Sequence, residues 1–378
     1  MSSTALLTEQ YCDNLGPAKI VHLYDPDAGL HGVLVIDNVA CGPAIGGVRM
    51  AADITTEEVV RLARAMTLKN AAAGLPHGGG KAGIAANPKM ADKPRLFRAF
   101  GRAIRDLVDY IPGPDMGTDE TCMARLFDEI GRAVGLPRVM GGIPLDEVGA
   151  TGYGVAQCAD VAAAHLGISL AGARIAIEGF GSVGRHAARF LEQMGAVVVA
   201  ASDTGGAVYH PEGLRVDELV AAKAKTGSVT GCGRGQRLTA AQLFTVPCEI
   251  IIPAARPDSI HIKNAAQIQA KLILQGANIP ATAEAETLLH ERGVLVVPDF
   301  IANAGGVICG AVEYRHGSQA SAFEQIADTV RRNTQETLDR SHHERIEPRR
   351  AALEMATQRV LEAQSYRNRC PVVAPERI

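Results

Sequence analysis

Residues 174–203, RIAIEGFGSVGRHAARFLEQMGAVVVAASD, decide the fold. Residues 174–178 are a short apolar strand. Gly179-Phe180-Gly181-Ser182-Val183-Gly184 follows at once, then a helix over 185–194 and a second strand over 197–201 that ends on Ser202-Asp203. A lone G-x-G-x-x-G is a weak signal. Set between strand and helix, with an acid 24 residues after the first glycine, it marks a dinucleotide site. Gly179, Gly181 and Gly184 allow a tight turn and close approach of a pyrophosphate. The helix N-terminus at Ser182 and Val183 supplies amides, and Asp203 can accept hydrogen bonds from an adenosine ribose.

Working outward, residues 249–253, 271–275 and 294–297 are further short apolar strands with helices between them. The pattern predicts a doubly wound parallel sheet of Rossmann type. Pro298 to Val307, PDFIANAGGV, follows a strand end, where such sheets bind ligands. The Gly- and Pro-rich stretch 135–154 is the natural boundary between domains. It gives an α/β substrate domain over 1–148 and a dinucleotide domain over 149–329. The chain turns charged and helical from Ser318 and breaks near Glu347-Pro348, so helices within 330–378 are expected to complete the first domain.

Upstream, residues 20–39 alternate apolar and polar positions around Asp25-Pro26-Asp27-Ala28-Gly29 and predict a β-hairpin. Residues 41–50 form a glycine-rich loop, equally readable as an anion site or a tight turn. Thr55 with Glu58 forms a capping box that opens a helix over 56–73. That helix delivers Lys69. Residues 68–84, LKNAAAGLPHGGGKAGI, then place Lys81 twelve positions on, around a glycine-rich turn in which Gly78, Gly79, Gly80 and Gly83 let backbone approach a ligand. A P-loop would need glycine where Leu75 stands and a hydroxyl where Ala82 stands, so that reading fails twice. Residues 93–109 read as a core-facing helix, and 111–118, IPGPDMGT, break structure. Asp115 there is either a turn residue or a carboxylate presented to a ligand.

Composition limits the partners. The chain has 378 residues, 21% charged and 47% hydrophobic, with a net charge of -3. That balance makes no electrostatic case for nucleic acid or an anionic membrane. No apolar run approaches the roughly 20 residues needed to cross a bilayer, and the first residues lack a secretion signal, so a cytoplasmic protein is expected. The eight cysteines contain no C-x-x-C pair, and His342-His343 stand in a solvated charged run, so no metal site is expected.

Two lysines and an aspartate beside a dinucleotide site suit the oxidation of an amino acid at its α-carbon. The carboxylate needs a fixed cation, the iminium product needs attack by an activated water, and a carboxyl group can carry the proton at nitrogen. A lysine whose charged form is disfavoured by burial beside another cation can activate that water.

On GPAIGGVRM (42–50), LKNAAAGLPHGGGKAGI (68–84), GPDMGT (113–118), ATGYGV (150–155), GFGSVG (179–184) and NAGGV (303–307), the chain resembles the glutamate/leucine/phenylalanine/valine dehydrogenase family along nearly its whole length. The resemblance implies reversible oxidative deamination of an L-amino acid to a 2-oxo acid and ammonia. It further implies a cleft between substrate and Rossmann domains, and a homo-oligomer. It makes Lys69 the binder of the substrate carboxylate, Lys81 the catalytic lysine and Asp115 the proton carrier. Gly46, Gly47 and Val307 would line the substrate cleft, and Asn303 would bridge substrate and cofactor. Thr151 would meet the nicotinamide carboxamide, with Ala254 and Asn278 beside its ribose.

The chain departs from the glutamate branch at two positions. Ile45 stands where those enzymes carry a lysine for the side-chain carboxylate, and Gly310 where they carry a serine. The expected pocket is therefore apolar, nearer the leucine/phenylalanine/valine branch, with glutamate as the alternative and Arg49 a candidate partner for it. A non-catalytic nucleotide sensor is a third reading, opposed by the intact Lys69, Lys81 and Asp115 set. Asp203 favours NAD, while the small Ser202, Thr204 and Gly205 leave NADP open.

Overall fold

The computed structural model describes residues 9–367. The chain divides into two units. One runs to Pro144 and takes in Val307–Ala322 and the chain from Met355; the other is Leu145–Gly306 with Phe323–Glu354. Residues 323–354 thus belong with the second unit, whereas the sequence reading gave the helices from 330 on to the first.

In the first unit, β1 (Lys19–Asp25) and β2 (Leu30–Asn38) form the expected antiparallel hairpin, its turn closed by the Ala28 amide donating to Asp25 Oδ1 at 3.0 Å. Two glycine-rich segments read as loop and turn are strands instead: β3 (Ala44–Ala51) and β4 (Gly78–Ala85). A third, β5 (Tyr110–Pro114), lies in the stretch read as a break. The sheet order is β1-β2-β4-β3-β5, so β5 is an edge, the one place a strand tolerates Pro112 and Pro114. β3 runs parallel to β4 and β5, while β2 runs antiparallel to β4.

Helices cover both faces. On one, α2 (Lys93–Ala103) and α3 (Glu120–Ile130) bury Leu96, Phe97, Phe100, Met123 and Leu126 against Leu34, Ile36, Val48, Met50 and Ile84. Each such side chain, fully buried, contributes about 1.5–3 kcal/mol. α2 stops at Ala103, short of the expected 109, because Ile104 leaves helical geometry before β5 begins. The other face carries α1 (Thr56–Ala72), with Val59, Val60 and Ala63 against Val33 and Val35. Thr55 Oγ1 accepts the Glu58 amide at 3.2 Å, but the Glu58 carboxylate turns to Arg49, so only half of the capping box forms. Buried Asp37 of β2 accepts from Arg64 Nε and from Thr67 Oγ1, fastening α1 to the sheet.

In the second unit, α4 (Leu145–Val148) and α5 (Ala150–His165) precede β6 (Arg174–Glu178), α6 (Ser182–Gln193) and β7 (Val197–Asp203). Then come β8 (Gly206–Tyr209), α7 (Val216–Thr226), β9 (Gln236–Leu238), β10 (Ile250–Pro253), α8 (Ile262–Ala265), β11 (Leu272–Leu274), α9 (Ala283–Glu291), β12 (Leu295–Val297) and α10 (Asp299–Ala302). The sheet order is β12-β11-β10-β6-β7-β8-β9. β12 through β7 are parallel, as expected of a Rossmann-type fold. β8 and β9 add an antiparallel edge the sequence reading lacked, so the sheet is mixed. α11 (Gly305–Tyr314), α12 (Gln319–Glu344) and α13 (Pro348–Tyr366) follow. Among the described residues, no helix is long and apolar enough to cross a membrane.

Candidate functional site

Side chains alternate across a strand, so Ile45, Gly47 and Arg49 of β3 share one face, as do Gly79, Lys81 and Gly83 of β4. That face meets α1. A Cβ on Gly79 would lie 2.0 Å from the Thr67 amide nitrogen, and one on Gly83 would lie 2.7 Å from Val59 Cγ2. The two glycines therefore let α1 down onto the sheet on either side of Lys81, whose side chain is 5% exposed.

Three charges meet there. Lys81 Nζ donates to Asp115 Oδ2, and Arg49 Nε donates to Asp115 Oδ1 at 2.8 Å. Arg49 Nη1 also donates to Glu58 Oε1 at 2.6 Å. The Asp115 loop is fixed by its own amide donating to Thr118 Oγ1 at 2.8 Å, while that hydroxyl donates to Val48 O at 3.0 Å. Burial alone would raise the Asp115 pKa, but the Lys81 and Arg49 cations outweigh it and hold the carboxyl at about 2.

Lys69 lies half-buried in the last turn of α1. Next to it, Asn70 Nδ2 donates to Gly78 O at 2.7 Å and ties the helix end to the start of β4. Gly46 leaves no room for a side chain, since its Cβ would lie 1.6 Å from Gly80 O; its carbonyl accepts from Tyr110 Oη at 2.7 Å. Ile45 is 4% exposed and packs with Ile111 and Val134, with Tyr314 against them. Gly310 stands one helical turn before Tyr314, and a Cβ there would be in ordinary contact with Val134 Cγ2 at 3.5 Å. Val307, half-buried, lies one turn earlier. Arg49 is committed to two carboxylates, which removes it as a free cation for a substrate side chain.

In the second unit the fingerprint glycines differ in purpose. Gly179 has φ +87° and lies against Ala255, and a Cβ on Gly184 would lie 1.9 Å from Gly179 O. Nothing stands within 4 Å of where a Gly181 Cβ would be. That open side, with α6 starting at Ser182 and no side chain capping its amides, fits a dinucleotide pyrophosphate. Val183 and Ala254 converge on Gly276, whose Cβ would lie 3.3 Å and 3.1 Å from them. Asn303 Nδ2 donates to Gly276 O and Ala277 O, both at 3.2 Å, and to Asn278 Oδ1 at 3.1 Å. Its Oδ1 is buried with no partner among the described residues, an acceptor suited to a ligand's N–H or O–H. Thr151 opens α5 where Gly305 and Gly306 approach it, a Gly306 Cβ falling 2.8 Å from Thr151 Oγ1.

Asp203 has partners of its own. Ser228 Oγ and the Gly205 amide donate to Oδ1 at 2.8 Å and 2.9 Å, the Val229 amide donates to Oδ2 at 2.8 Å, and Lys223 Nζ lies 3.3 Å away. The carboxylate expected to face a ribose is thus largely satisfied within its own domain.

Sequence reasoning missed the Arg49–Asp115 pair because 41–50 was read as a loop. Read as a strand, the alternation 45, 47, 49 puts Arg49 on the face that carries Lys81. It also missed Arg349, which donates to Glu286 Oε2, Gln275 Oε1 and Asp299 Oδ1 at 2.5, 2.7 and 3.0 Å. Asp299 Oδ2 in turn accepts the Ile279 amide at 2.9 Å, fixing the loop that carries Asn278.

Residues 141–368 match the Glutamate/Leucine/Phenylalanine/Valine dehydrogenase family, and residues 17–132 match the Glu/Leu/Phe/Val dehydrogenase dimerisation domain. The chain belongs to this family. It is 42% identical to the glutamate dehydrogenase of Aeropyrum pernix over 73% of this chain and 70% of that one. It is 39% identical to the catabolic NAD-specific glutamate dehydrogenase of Bacillus subtilis over 78% and 73%. The hetero-hexameric glutamate dehydrogenase of Thermus thermophilus, solved in a Leu-bound form, matches at 32% identity and TM-score 0.86 over 97% of this chain and 93% of that one. These relatives do not support the expected placement nearer the leucine/phenylalanine/valine branch.

Proposed function

We propose that the chain catalyses reversible NAD-dependent oxidative deamination of an L-amino acid, with L-glutamate as substrate, and works as a homo-oligomer. The observation that carries the chemistry is the buried Lys81–Asp115–Arg49 cluster. Substrate identity is supported by the relatives named glutamate dehydrogenase, and the cofactor by the open Gly181 side and the NAD-specific relative.

Lys69 holds the α-carboxylate. Gly179, Gly181 and Gly184 with the amides at the start of α6 would hold a nicotinamide dinucleotide, which when bound would supply a hydride acceptor for oxidation of the amino acid to its iminium. Lys81 orients a water and stabilises the oxygen that forms on its attack at the α-carbon. The attacking water gives one proton to the Asp115 carboxylate, which passes it to the nitrogen; ammonia then departs as the second proton leaves the oxygen, and the C–O bond becomes the carbonyl of the 2-oxo acid. Proton transfer by a positioned group is worth roughly 10²–10⁴ in rate. Arg49 keeps Asp115 aimed, and Gly47 leaves the space that its carboxylate occupies.

Ile45 supports a second reading, an apolar substrate side chain, because an unpaired γ-carboxylate against Ile45, Ile111 and Val134 would cost several kcal/mol. Amino acids offered one by one with NAD or NADP, followed by absorbance of the reduced cofactor, decide between the two. Glutamate fastest supports the first, leucine, valine or phenylalanine fastest the second. No turnover with any amino or oxo acid would overturn both.

A further inference from the structure

If glutamate is the substrate, its γ-carboxylate needs a partner. Ile45 is apolar, Gly310 has no side chain, and Arg49 is bound by Asp115 and Glu58. One polar group beside the Ile45 cluster is without a role. His77 is 3% exposed, and it precedes β4, whose Gly79 pairs with Ile45. Its Nδ1 lies 3.1 Å from Pro43 O, which can only accept, so the proton of the neutral ring is assigned to Nδ1. Nε2 is then a buried nitrogen with no partner among the described residues. Such a nitrogen calls for a partner, from protein, water or a bound ligand. The ring packs edge-on against Tyr314, centroids 5.8 Å apart, and Tyr314 is the residue that leans on Ile45, Ile111 and Val134.

We infer that His77, backed by Tyr314, is the polar end of the substrate side-chain subsite and binds a γ-carboxylate through Nε2 in its imidazolium form. This rests on the glutamate reading. Burial, opposed by the hydrogen bond to Pro43 O and aided more weakly by the nearby Arg315 cation, lowers the His77 pKa from its ordinary value and favours the neutral ring. Arriving carboxylate reverses that balance, and binding takes up one proton at Nε2. Among the described residues, Tyr314 and Arg315 are the titratable groups seen to act on the ring. Glutamate binding should therefore weaken as pH rises, while an apolar side chain is indifferent. The α-amino and α-carboxylate groups are common to both substrates and cancel in a ratio.

The test measures kcat/KM for glutamate and for leucine from pH 6.5 to 9 in wild type, His77→Leu and His77→Gln, with thermal melting to confirm folding. In wild type the glutamate-to-leucine ratio should fall several-fold across the range. In His77→Leu it should drop at least thirtyfold at pH 7 through KM for glutamate, with kcat little changed, and lose its pH dependence. His77→Gln, a neutral donor that covers the case in which the leucine variant does not fold, should lose the pH dependence and keep part of the ratio. A His77→Leu ratio within twofold of a glutamate-preferring wild type would overturn the role of His77 and leave the substrate assignment standing. A wild type that prefers leucine would overturn both.

Discussion

Gly47 of β3 and Asp115 share one volume. A Cβ placed on Gly47 would lie 2.7 Å from Asp115 Cβ and 2.8 Å from its Oδ2, so the strand gives up a side chain for the carboxylate to sit between Lys81 and Arg49. Gly47→Ala should push Asp115 aside. Displacement of a reacting group by about 1 Å costs roughly 100-fold in rate, and overpacking costs about 1–3 kcal/mol of stability. Steady-state kcat beside a melting curve checks both. Activity within threefold of wild type would show that Asp115 need not stand there.

Acid stability should report the same carboxylate. Its folded pKa of about 2 lies below the ordinary 3.8, so its contribution is fully present above about pH 4 and is lost as pH falls through 2. The shift corresponds to about 2 kcal/mol. Asp115→Asn lacks this contribution at every pH. Urea unfolding at pH 5 and pH 2.5 should therefore give a wild-type advantage over the variant that shrinks by most of that amount.

Arg349 holds Glu286, Gln275 and Asp299 in one network, and Asp299 in turn holds the loop bearing Asn278. Removing one partner of a buried ion pair costs about 3–5 kcal/mol. Arg349→Met should lower unfolding free energy by that order and weaken NADH binding, measured by nucleotide fluorescence, because the Asn278 loop is released. A variant with unchanged stability would show the network to be dispensable.

Asp203 gives a sharper test of cofactor choice than its position in the fingerprint does. With Ser228, Val229, Gly205 and Lys223 already on it, the carboxylate would act on a bound ribose mainly as a negative charge. Asp203→Asn keeps the shape and removes the charge. The ratio of kcat/KM for NADP to that for NAD should rise at least tenfold. An unmoved ratio would mean that Asp203 serves only to hold the turn at Val229.

How much was legible follows from where the reasons lie. Residues 174–203 could be read because strand, glycines and helix adjoin in sequence and each glycine answers to its neighbours in that stretch. β3 and β4 could not, because glycines 46, 47, 79 and 83 are explained by Gly80, Asp115, Thr67 and Val59, which only the fold brings near. A strand of glycines lacks the alternating side chains that signal one. β5 hid behind its prolines, acceptable only at the sheet edge it occupies. β8 and β9 span four and three residues, too short for a period to show. Lys69, Lys81 and Asp115 drew attention by type and spacing and took their proposed roles from the family resemblance, and the fold sets Lys81 against Asp115. Arg49 needed the strand first, and His77 needed the orphaned nitrogen.

The central claim is that Lys81, paired with Asp115 on the glycine-lined face of β4, performs the chemistry. Lys81→Ala, assayed for glutamate oxidation and separately for NADH binding by fluorescence, tests it most directly. The expected result is a loss of kcat of at least 10³ with NADH affinity within threefold of wild type. Turnover at the ordinary rate by a folded Lys81→Ala enzyme would contradict it.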